Sequence, residues 1–477
     1  MRAEAWGRNA ALELLLGGAT PVRPIPPYTG MHAWLTFEAY ARKVRGATVR
    51  NRAGAPVELR LCHPDGRVRE AALLSLRPRL PGRMAAPTSL PLPLVVIRCA
   101  DWVPAVRAKA RRLLVESVAV DARYTVFTAL PLVIRLAGRE QGGWAVELFE
   151  AALHLREPRL AQWWRVGLLT GRPTRREADE MLTWLRRFDD VPTRRFAARI
   201  TLARTRGAMS VPDMAREAAA EHDAVTAGMW TDAVTRALAA GRAGGRWAGA
   251  GRQDAAQREV TEVLLGGRLP AVRAAGLTAL QDAGRAEEVV RYLADRSAQV
   301  RACARRLVDR AGGDPREHYR RLVTDPAEPS PYAVSGLAEC GDPADLPLLR
   351  DLLEHPTGRV RAAAVAGLRR LDPAPEDTKL LALLDDPAPS VAREARRTLR
   401  PVVDRLDPAA LSALCSTSHR RHTRRAAFRL LRIQNGPATL QTARTLAEDG
   451  DPGLRWAASM VLWAAEEAER EGEGEGE

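Results

Sequence analysis

The sequence predicts an all-α protein, an α-solenoid in which antiparallel helical hairpins stack into a superhelix. Three observations predict this fold. A short pattern recurs along the chain, each copy carries apolar residues at helical spacing, and aromatic residues make up only 5% of the composition. A chain of 477 residues is long for one globular core. A row of repeats avoids that limit because each hairpin buries its apolar stripe against its neighbours.

The clearest copy of the pattern occupies residues 355–371. A turn, HPTG, is followed by the pair Val360 and Arg361. The helix that starts there carries Val360, Ala364 and Leu368 on one apolar stripe. A first helix precedes each pair and begins after a turn with Pro or Asp, because Pro is tolerated in the first helical turn. The other pairs are Val68-Arg69, Val106-Arg107, Trp164-Arg165, Thr193-Arg194, Val272-Arg273, Val300-Arg301, Pro331-Tyr332, Val391-Ala392, Thr423-Arg424 and Leu454-Arg455.

The spacing of the pairs predicts how the chain is divided. In the second half of the chain they return every 28 to 32 residues, a period typical of stacked hairpins. We expect repeats over residues 59–240 and 257–465, with residues 1–58 as a helical cap. The glycine- and arginine-rich residues 241–256 are predicted to form a flexible loop. The acidic residues 466–477 are predicted to be a disordered tail.

The form D-x-x-x-x-V-R-x-x-A, complete in residues 295–304, resembles HEAT repeats and the HEAT-like repeats of the bilin-lyase type. The resemblance covers about residues 60–465. It implies that the second helix of each hairpin lines the concave surface. It also implies that the repeat arginine pairs with an aspartate in the turn of its own or an adjacent repeat. The candidate carboxylates are Asp65, Asp295, Asp386 and Asp451.

The charge balance predicts an anionic partner. The formal net charge is +15, although residues 466–477 hold seven Glu and one Arg. A body this basic attracts nucleic acid or an acidic protein. The alternative is an arginine-rich surface that contacts only solvent. No membrane partner is expected, since no apolar run is long enough to cross a bilayer.

The densest positive charge lies in residues 419–432, and residues 409–447 contain no Asp or Glu. Arg421, Arg425 and Arg429 are spaced i, i+4 and i+8, so their like charges repel on one helix face. A bound phosphate or carboxylate would relieve that repulsion. The alternative is an exposed face paired with Asp404, Asp407 or the acidic tail.

A second basic run, residues 186–206, interleaves Arg with aromatic residues. Such a mixture can stack unpaired bases, or its aromatic side chains can simply pack between repeats. The predicted binding residues from the two runs are Arg420, Arg421, Arg424, Arg425, Arg429, Arg432, Arg194 and Arg195.

Motifs that carry catalysis or hold cofactors are missing from the sequence. It has no Walker A, GxSxG, HExxH or CxxC motif. Cys415, His419 and His422 have metal-like spacing, but a fourth ligand is missing and the neighbouring arginines would repel a cation. We therefore predict neither a metal nor a cofactor. The five widely spaced cysteines predict free thiols and a cytoplasmic location.

These observations favour a non-enzymatic scaffold that binds an acidic protein or nucleic acid through an arginine-rich concave face. The alternative is an enzyme similar to the HEAT-like alkylpurine DNA glycosylases, which place Trp and Asp side chains around a damaged nucleotide. Asp101 with Trp102, or Trp230 with Asp232, could occupy such places. The family's motif cannot be matched residue by residue, so we assign no catalytic residue. Whether the protein is an enzyme stays open, with a non-enzymatic role favoured.

Overall fold

A computed structural model describes most of the chain: residues 7, 9–11, 31–44, 55–76, 91–154, 173–204, 209–244, 250–324, 330–372 and 377–474. Every regular element in these residues is a helix, and they contain no β-strand. The prediction of an all-α fold is confirmed. The helices divide into two compact units. Unit 1 comprises Met1–Val263 with Gly267–Leu269, and unit 2 comprises Leu264–Gly266 with Pro270–Glu477.

Unit 1 is built from helical hairpins that start at polar caps. Asp65, Asp121 and Thr174 accept a hydrogen bond from a backbone N–H in the first turn of the helix that follows each of them. The helices are α1 (Met31–Val44), α2 (Val57–Leu61), α3 (Gly66–Ser75), α4 (Leu92–Arg98), α5 (Pro104–Val120), α6 (Ala122–Leu136), α7 (Gly143–Ala152), α8 (Arg175–Leu185), α9 (Val191–Arg204), α10 (Val211–Ala220) and α11 (Ala224–Gly244). Helix α12 (Ala250–Leu265) ends where the two units divide.

Unit 2 repeats one arrangement, a short and often partly 3₁₀ first helix followed by a longer second helix. Pro occupies the first turn of many of these helices, where no N–H is needed. The helices are α13 (Pro270–Asp282), α14 (Ala298–Arg310), α15 (Pro315–Thr324), α16 (Pro331–Cys340), α17 (Leu346–Asp351), α18 (Gly358–Leu371), α19 (Asp377–Ala382), α20 (Pro389–Leu399), α21 (Pro408–Ala413), α22 (Arg421–Gln434), α23 (Pro437–Leu446) and α24 (Pro452–Gly474). 3₁₀ segments occupy Ala286–Ala294, Pro343–Asp345, Leu352–Glu354, Leu383–Asp385 and Arg400–Arg405.

The repeat pairs lie on the second helices, as predicted. In unit 2, α16 packs against α18, α18 against α20, and α20 against α22. The apolar members of three of these pairs, Val300, Val360 and Val391, are buried in the core between the helices. The hairpins therefore bury their stripes against their neighbours, which is the packing of a solenoid. The pair at residues 164–165 falls outside the described residues.

Two predicted irregular segments contain helix. Helix α11 continues to Gly244 and α12 begins at Ala250, so helix occupies both ends of the predicted loop at 241–256. Residues 245–249 between them are not described. Helix α24 continues to Gly474, so helix also replaces the predicted disorder in residues 466–474. Alternating Glu and Gly did not stop this helix, because it extends from an apolar segment that is anchored in unit 2. No helix in the described part of the chain is both long enough and apolar enough to span a bilayer.

Candidate binding surface

The repeat arginine has a structural role. Arg361 donates from Nε and Nη2 to the two carboxylate oxygens of Asp386, at 2.8 and 2.7 Å. Its Nη1 donates to the carbonyl oxygen of His355 in its own turn, at 2.7 Å. Arg273 makes the same two-pronged contact with Asp295, at 3.0 and 2.8 Å. Each of these arginines thus connects its own repeat to the turn of the next one.

Unit 1 contains the most buried version of this contact. Arg69 donates to both oxygens of Asp101 at 2.9 and 2.8 Å, and Arg98 donates to the same carboxylate at 3.0 Å. Arg98 also pairs with Glu38. Burial opposes ionisation of Asp101, but hydrogen bonds from Arg69 and the backbone N–H of Val103 outweigh it and lower its pKa. Asp101 is therefore a structural anion.

The four candidate turn carboxylates have different roles. Asp295 and Asp386 accept from a repeat arginine, as the resemblance implied. Asp65 instead caps α3 by accepting from the N–H of Arg67 at 2.8 Å. Asp451 accepts from Arg421 and Arg425, which precede and follow the repeat arginine of their helix.

The predicted anion site on α22 is largely neutralised within the protein. Arg421 and Arg425 each donate from Nε to Asp451 at 2.7 Å. These two hydrogen bonds hold the pKa of Asp451 far below its usual range. Arg424 is buried and pairs with Asp449. The premise that these arginines lack acidic partners was wrong, because the partners lie in the turn of the next repeat. Asp407, the partner proposed in the alternative, caps α21 instead.

Three further predicted residues also have partners. Arg195 donates to both carboxylate oxygens of Asp223 at 2.9 and 2.7 Å. Arg194 donates to the carbonyl oxygen of Phe188 at 2.7 Å and lies 3.4 Å from Glu221. Arg420 lies at the edge of the site, 3.9 Å from a carboxylate oxygen of Asp385. These contacts tie neighbouring elements together.

Arg429 and Arg432 are different. Both are exposed, and neither makes an ion pair with any residue that the structure describes. Arg396 on the adjacent helix α20 and Arg400 at the start of the 3₁₀ segment that follows it likewise lack ion pairs in the described ranges. Burial lowers the pKa of Arg396, and the positive charges of Arg429, Arg397 and Arg400 lower it further. Uncompensated positive charge is therefore concentrated here.

Alignment of the repeats reveals a pattern that the sequence reading missed. We count from the second residue of each repeat pair and compare positions +1, +5 and +8. We call the arginines at these positions on two successive repeats the basic rows, and the apolar residues of the last described repeat the tryptophan row. The basic rows are Arg393, Arg397, Arg400 and Arg425, Arg429, Arg432, and the tryptophan row is Trp456, Met460, Trp463.

The rows are neighbours on unit 2. Helix α20 packs against α22, which brings the two basic rows side by side. Arg425 reaches Asp451 immediately before α24 begins, so the tryptophan row follows on the next helix. Trp456 and Trp463 are 67% and 56% exposed. The rows could have been found in the sequence, because aligning the repeat pairs allows equivalent positions of successive repeats to be compared.

Cys415, His419 and His422, which have metal-like spacing in the sequence, contact separate partners. The Cys415 thiol is buried, and burial raises its pKa to about 12. His419 Nδ1 lies 3.0 Å from Asp385, and His422 Nε2 lies 2.8 Å from the carbonyl oxygen of Asp386. Because Ala392 replaces the repeat arginine here, these histidines and Thr423 join the two turns instead. Within the described ranges, no group of three or more His, Cys, Asp and Glu could hold a metal ion.

Neither glycosylase-like pair forms an open site. Trp102 is 59% exposed, but Asp101 beside it is buried under its arginines. Arg69 and Arg42 lie over the Trp102 ring at 4.4 and 4.7 Å. Trp230 is buried in unit 1, whereas Asp232 faces solvent. In the second basic run, Phe196 is buried, and Trp163 and Trp164 fall outside the described part of the chain.

Comparisons with known proteins agree with the repeat assignment. Residues 325–400 match the family model for HEAT repeats, which confirms the predicted resemblance in that stretch. No protein with a curated description matches the chain. Similar solved structures include an engineered protein, at 17% identity over 77% of this chain and 97% of that one, with a TM-score of 0.28.

Two further structures are of the karyopherin Kap121p. One, bound to the extreme C-terminus of the protein phosphatase Cdc14p, is 12% identical with a TM-score of 0.27. The other is 13% identical with a TM-score of 0.22. Each covers 96% of this chain, which spans only 45% of the karyopherin's length. Identities and TM-scores this low assign none of the partners of these proteins to this chain.

Proposed function

We propose that this protein is a non-enzymatic HEAT-repeat scaffold that binds an acidic protein segment through the basic rows of unit 2. The observation that carries the proposal is the absence of ion pairs, in the described ranges, at Arg400, Arg429 and Arg432 of the basic rows and at Arg396 beside them, whereas the nearby Arg397, Arg424 and Arg425 are paired. Like charges at these spacings cost a few tenths of a kcal/mol per pair on a helix. Carboxylates from a partner would remove that cost and accept paired hydrogen bonds from each guanidinium.

The limited extent of the basic rows favours a protein over nucleic acid. On α18, the equivalent positions hold Ala362, Ala366 and Arg369, and Arg369 pairs with Glu394. On α24 they hold the tryptophan row. The rows therefore cover two repeats, and each row spans about 10 Å along its helix. Specific duplex binders commonly contact about 6–10 phosphates, which needs a longer basic track.

The test uses defined probes because the natural partner is unidentified. Binding of a fluorescent Asp- and Glu-rich peptide, a single-stranded oligonucleotide and a duplex is measured at about 50 and 200 mM salt. We expect the peptide to bind more tightly than either nucleic acid. Replacing Arg396, Arg400, Arg429 and Arg432 together with Gln should raise the peptide Kd by at least about tenfold, which corresponds to roughly 1.4 kcal/mol. The melting temperature should stay unchanged, because these side chains hold no partner in place.

The matched control is Arg421→Gln, which removes the same type of charge from the same helix but lies outside the basic rows. Arg421 holds Asp451, so its loss should lower the melting temperature by roughly 2–4 °C per kcal/mol of stability lost. The proposal is wrong if the fourfold variant binds the peptide as well as the parent protein does. It is also wrong if the duplex binds more tightly than the peptide, with a steep dependence on salt.

A further inference from the structure

The last described helix has an apolar face that is largely exposed to solvent. Trp456, Met460 and Trp463 follow each other at i, i+4 and i+7 on α24 and are 67%, 39% and 56% exposed. The opposite face of α24 packs on the core through Leu454 and Ala458. Soluble proteins seldom leave two tryptophans exposed on one stripe unless the stripe is an interface.

The two ends of α24 carry opposite charge. At its start, Arg421 and Arg425 surround Asp451, and Arg421 is 64% exposed. The guanidinium of Arg425 lies directly beside Gly453. At its end, residues 466–473 hold five Glu and one Arg. Glu466 is exposed, and Arg470 is the basic residue that pairs with it. Two guanidinium groups of α22 share the single carboxylate of Asp451, so the surroundings of the start of α24 keep a net positive charge, whereas its last third is acidic.

We propose that two copies of this protein pair through α24, with the helices antiparallel and the two-fold axis beside Met460. A two-fold operation midway between Trp456 and Trp463 places Trp456 of one copy opposite Trp463 of the other. The same operation places Glu466 opposite Gly453, where the arginines of α22 lie. The two-fold thus matches apolar residues with apolar residues and an acidic residue with basic ones, as an isologous interface requires.

Charge also selects the direction of pairing. A parallel pair would place Glu466 and Glu467 of one α24 beside those of the other, and like charges facing each other destabilise an interface. The antiparallel pair instead places Glu466 near the arginines of α22. A 23-residue helix is about 35 Å long, so the interface lies toward the small end for specific complexes, below about 1,200 Å² in total. We therefore expect a dimer that dissociates on dilution.

Self-association is measured on the full chain by sedimentation velocity across a range of concentrations. We expect a reversible monomer–dimer equilibrium that weakens as salt increases. The double variant Trp456→Glu with Trp463→Glu should raise the dissociation constant at least about tenfold, because it places charge on the apolar stripe. Trp184→Glu is the matched control, since Trp184 is 55% exposed on α8 and lies in unit 1. It should leave the equilibrium unchanged.

Cysteine cross-linking tests the geometry. Cys62, Cys99, Cys303 and Cys415 are buried and Cys340 is half-buried, so background oxidation is low. Under mild oxidation, Met460→Cys should form a covalent dimer. A mixture of Trp456→Cys with Trp463→Cys should cross-link, whereas Trp456→Cys alone should not. Cross-linking of Trp456→Cys with itself would indicate a parallel pair and overturn the proposal.

The dimer proposal would also be overturned if the protein is monomeric at every concentration and Met460→Cys does not cross-link. In that case another segment of the same chain, or nothing at all, covers the tryptophan row. The inference does not depend on the proposed function. The Trp variants leave the basic rows intact, and peptide binding by those variants is measured separately. Peptide binding without dimerisation would show that only the dimer proposal fails, and dimerisation without peptide binding would show that only the proposed function fails.

Discussion

Asp101 illustrates how a single buried charge is accommodated. Its carboxylate is 2% exposed and accepts three hydrogen bonds from Arg69 and Arg98 and one from the N–H of Val103. A carboxylate stripped of water is tolerated only when its oxygens are satisfied in this way. The guanidinium of Arg69 is itself fully buried, so it depends in turn on the negative charge of Asp101.

Replacing Asp101 with Asn should therefore lower the free energy of unfolding by about 3–5 kcal/mol, because the buried guanidinium of Arg69 loses its counter-charge and that of Arg98 keeps only Glu38. The comparison is Asp65→Ala, which removes an exposed helix cap in the same unit and should cost about 1 kcal/mol. Both are measured by urea denaturation followed by circular dichroism. Equal effects of the two variants would show that burial of Asp101 contributes little.

Packing between helices depends on small residues where two elements approach closely. Gly336 on α16 faces the buried ring of Tyr319 on α15, whose hydroxyl donates to the carbonyl oxygen of Leu293 at 2.7 Å. A Cβ at position 336 would lie 2.2 Å from the ring carbon Cε1. The glycine sets the distance between the two helices of this hairpin.

Gly336→Ala should destabilise unit 2 by about 1–3 kcal/mol through overpacking. Gly228→Ala is the matched control, since Gly228 lies within α11 and a Cβ there would meet nothing within 4 Å. Alanine's helix propensity should stabilise that variant by up to about 1 kcal/mol. Thermal melting distinguishes the two variants, because Gly336→Ala should lower the melting temperature and Gly228→Ala should raise it. A second change, Tyr319→Leu, should recover part of the loss at Gly336, and failure to do so would place the strain elsewhere.

Across the whole molecule, the lowered carboxylate pKa values predict acid sensitivity. Asp101, Asp190, Asp295, Asp345 and Asp449 are each opposed by burial but held below their ordinary pKa of 3.8 by hydrogen bonds from arginine, threonine or backbone N–H groups. A depressed carboxylate pKa contributes stability that is present above the ordinary value and is lost as pH falls through the folded-state value. Stability should be nearly constant above about pH 5 and fall steeply below about pH 4. Circular dichroism against pH measures this, and a midpoint near neutrality would contradict it.

The sequence predicted the fold because the period of the repeat pair reports helix stacking directly. It misplaced the partners of Arg421 and Arg425 because acidic residues were sought nearby in sequence. Asp451 lies 30 residues beyond Arg421, one full repeat away, and Asp386 lies 25 residues beyond Arg361. The basic rows and the tryptophan row could not be predicted for the same reason, because they become visible only when equivalent positions of successive repeats are compared.

The ion pairs of the repeat arginines run in one direction along the chain. Arg69, Arg273 and Arg361 each reach a carboxylate of the following repeat. Truncation is therefore asymmetric. Removing repeats from the carboxyl-terminal side leaves a buried guanidinium in the last remaining repeat without its carboxylate partner. Removing repeats from the amino-terminal side leaves only a turn aspartate without its arginine, and water can hydrate that aspartate. Duplication of a complete repeat that carries such a pair, in contrast, keeps its arginine matched to a turn carboxylate, so arrays of this type can lengthen more readily than they can shorten.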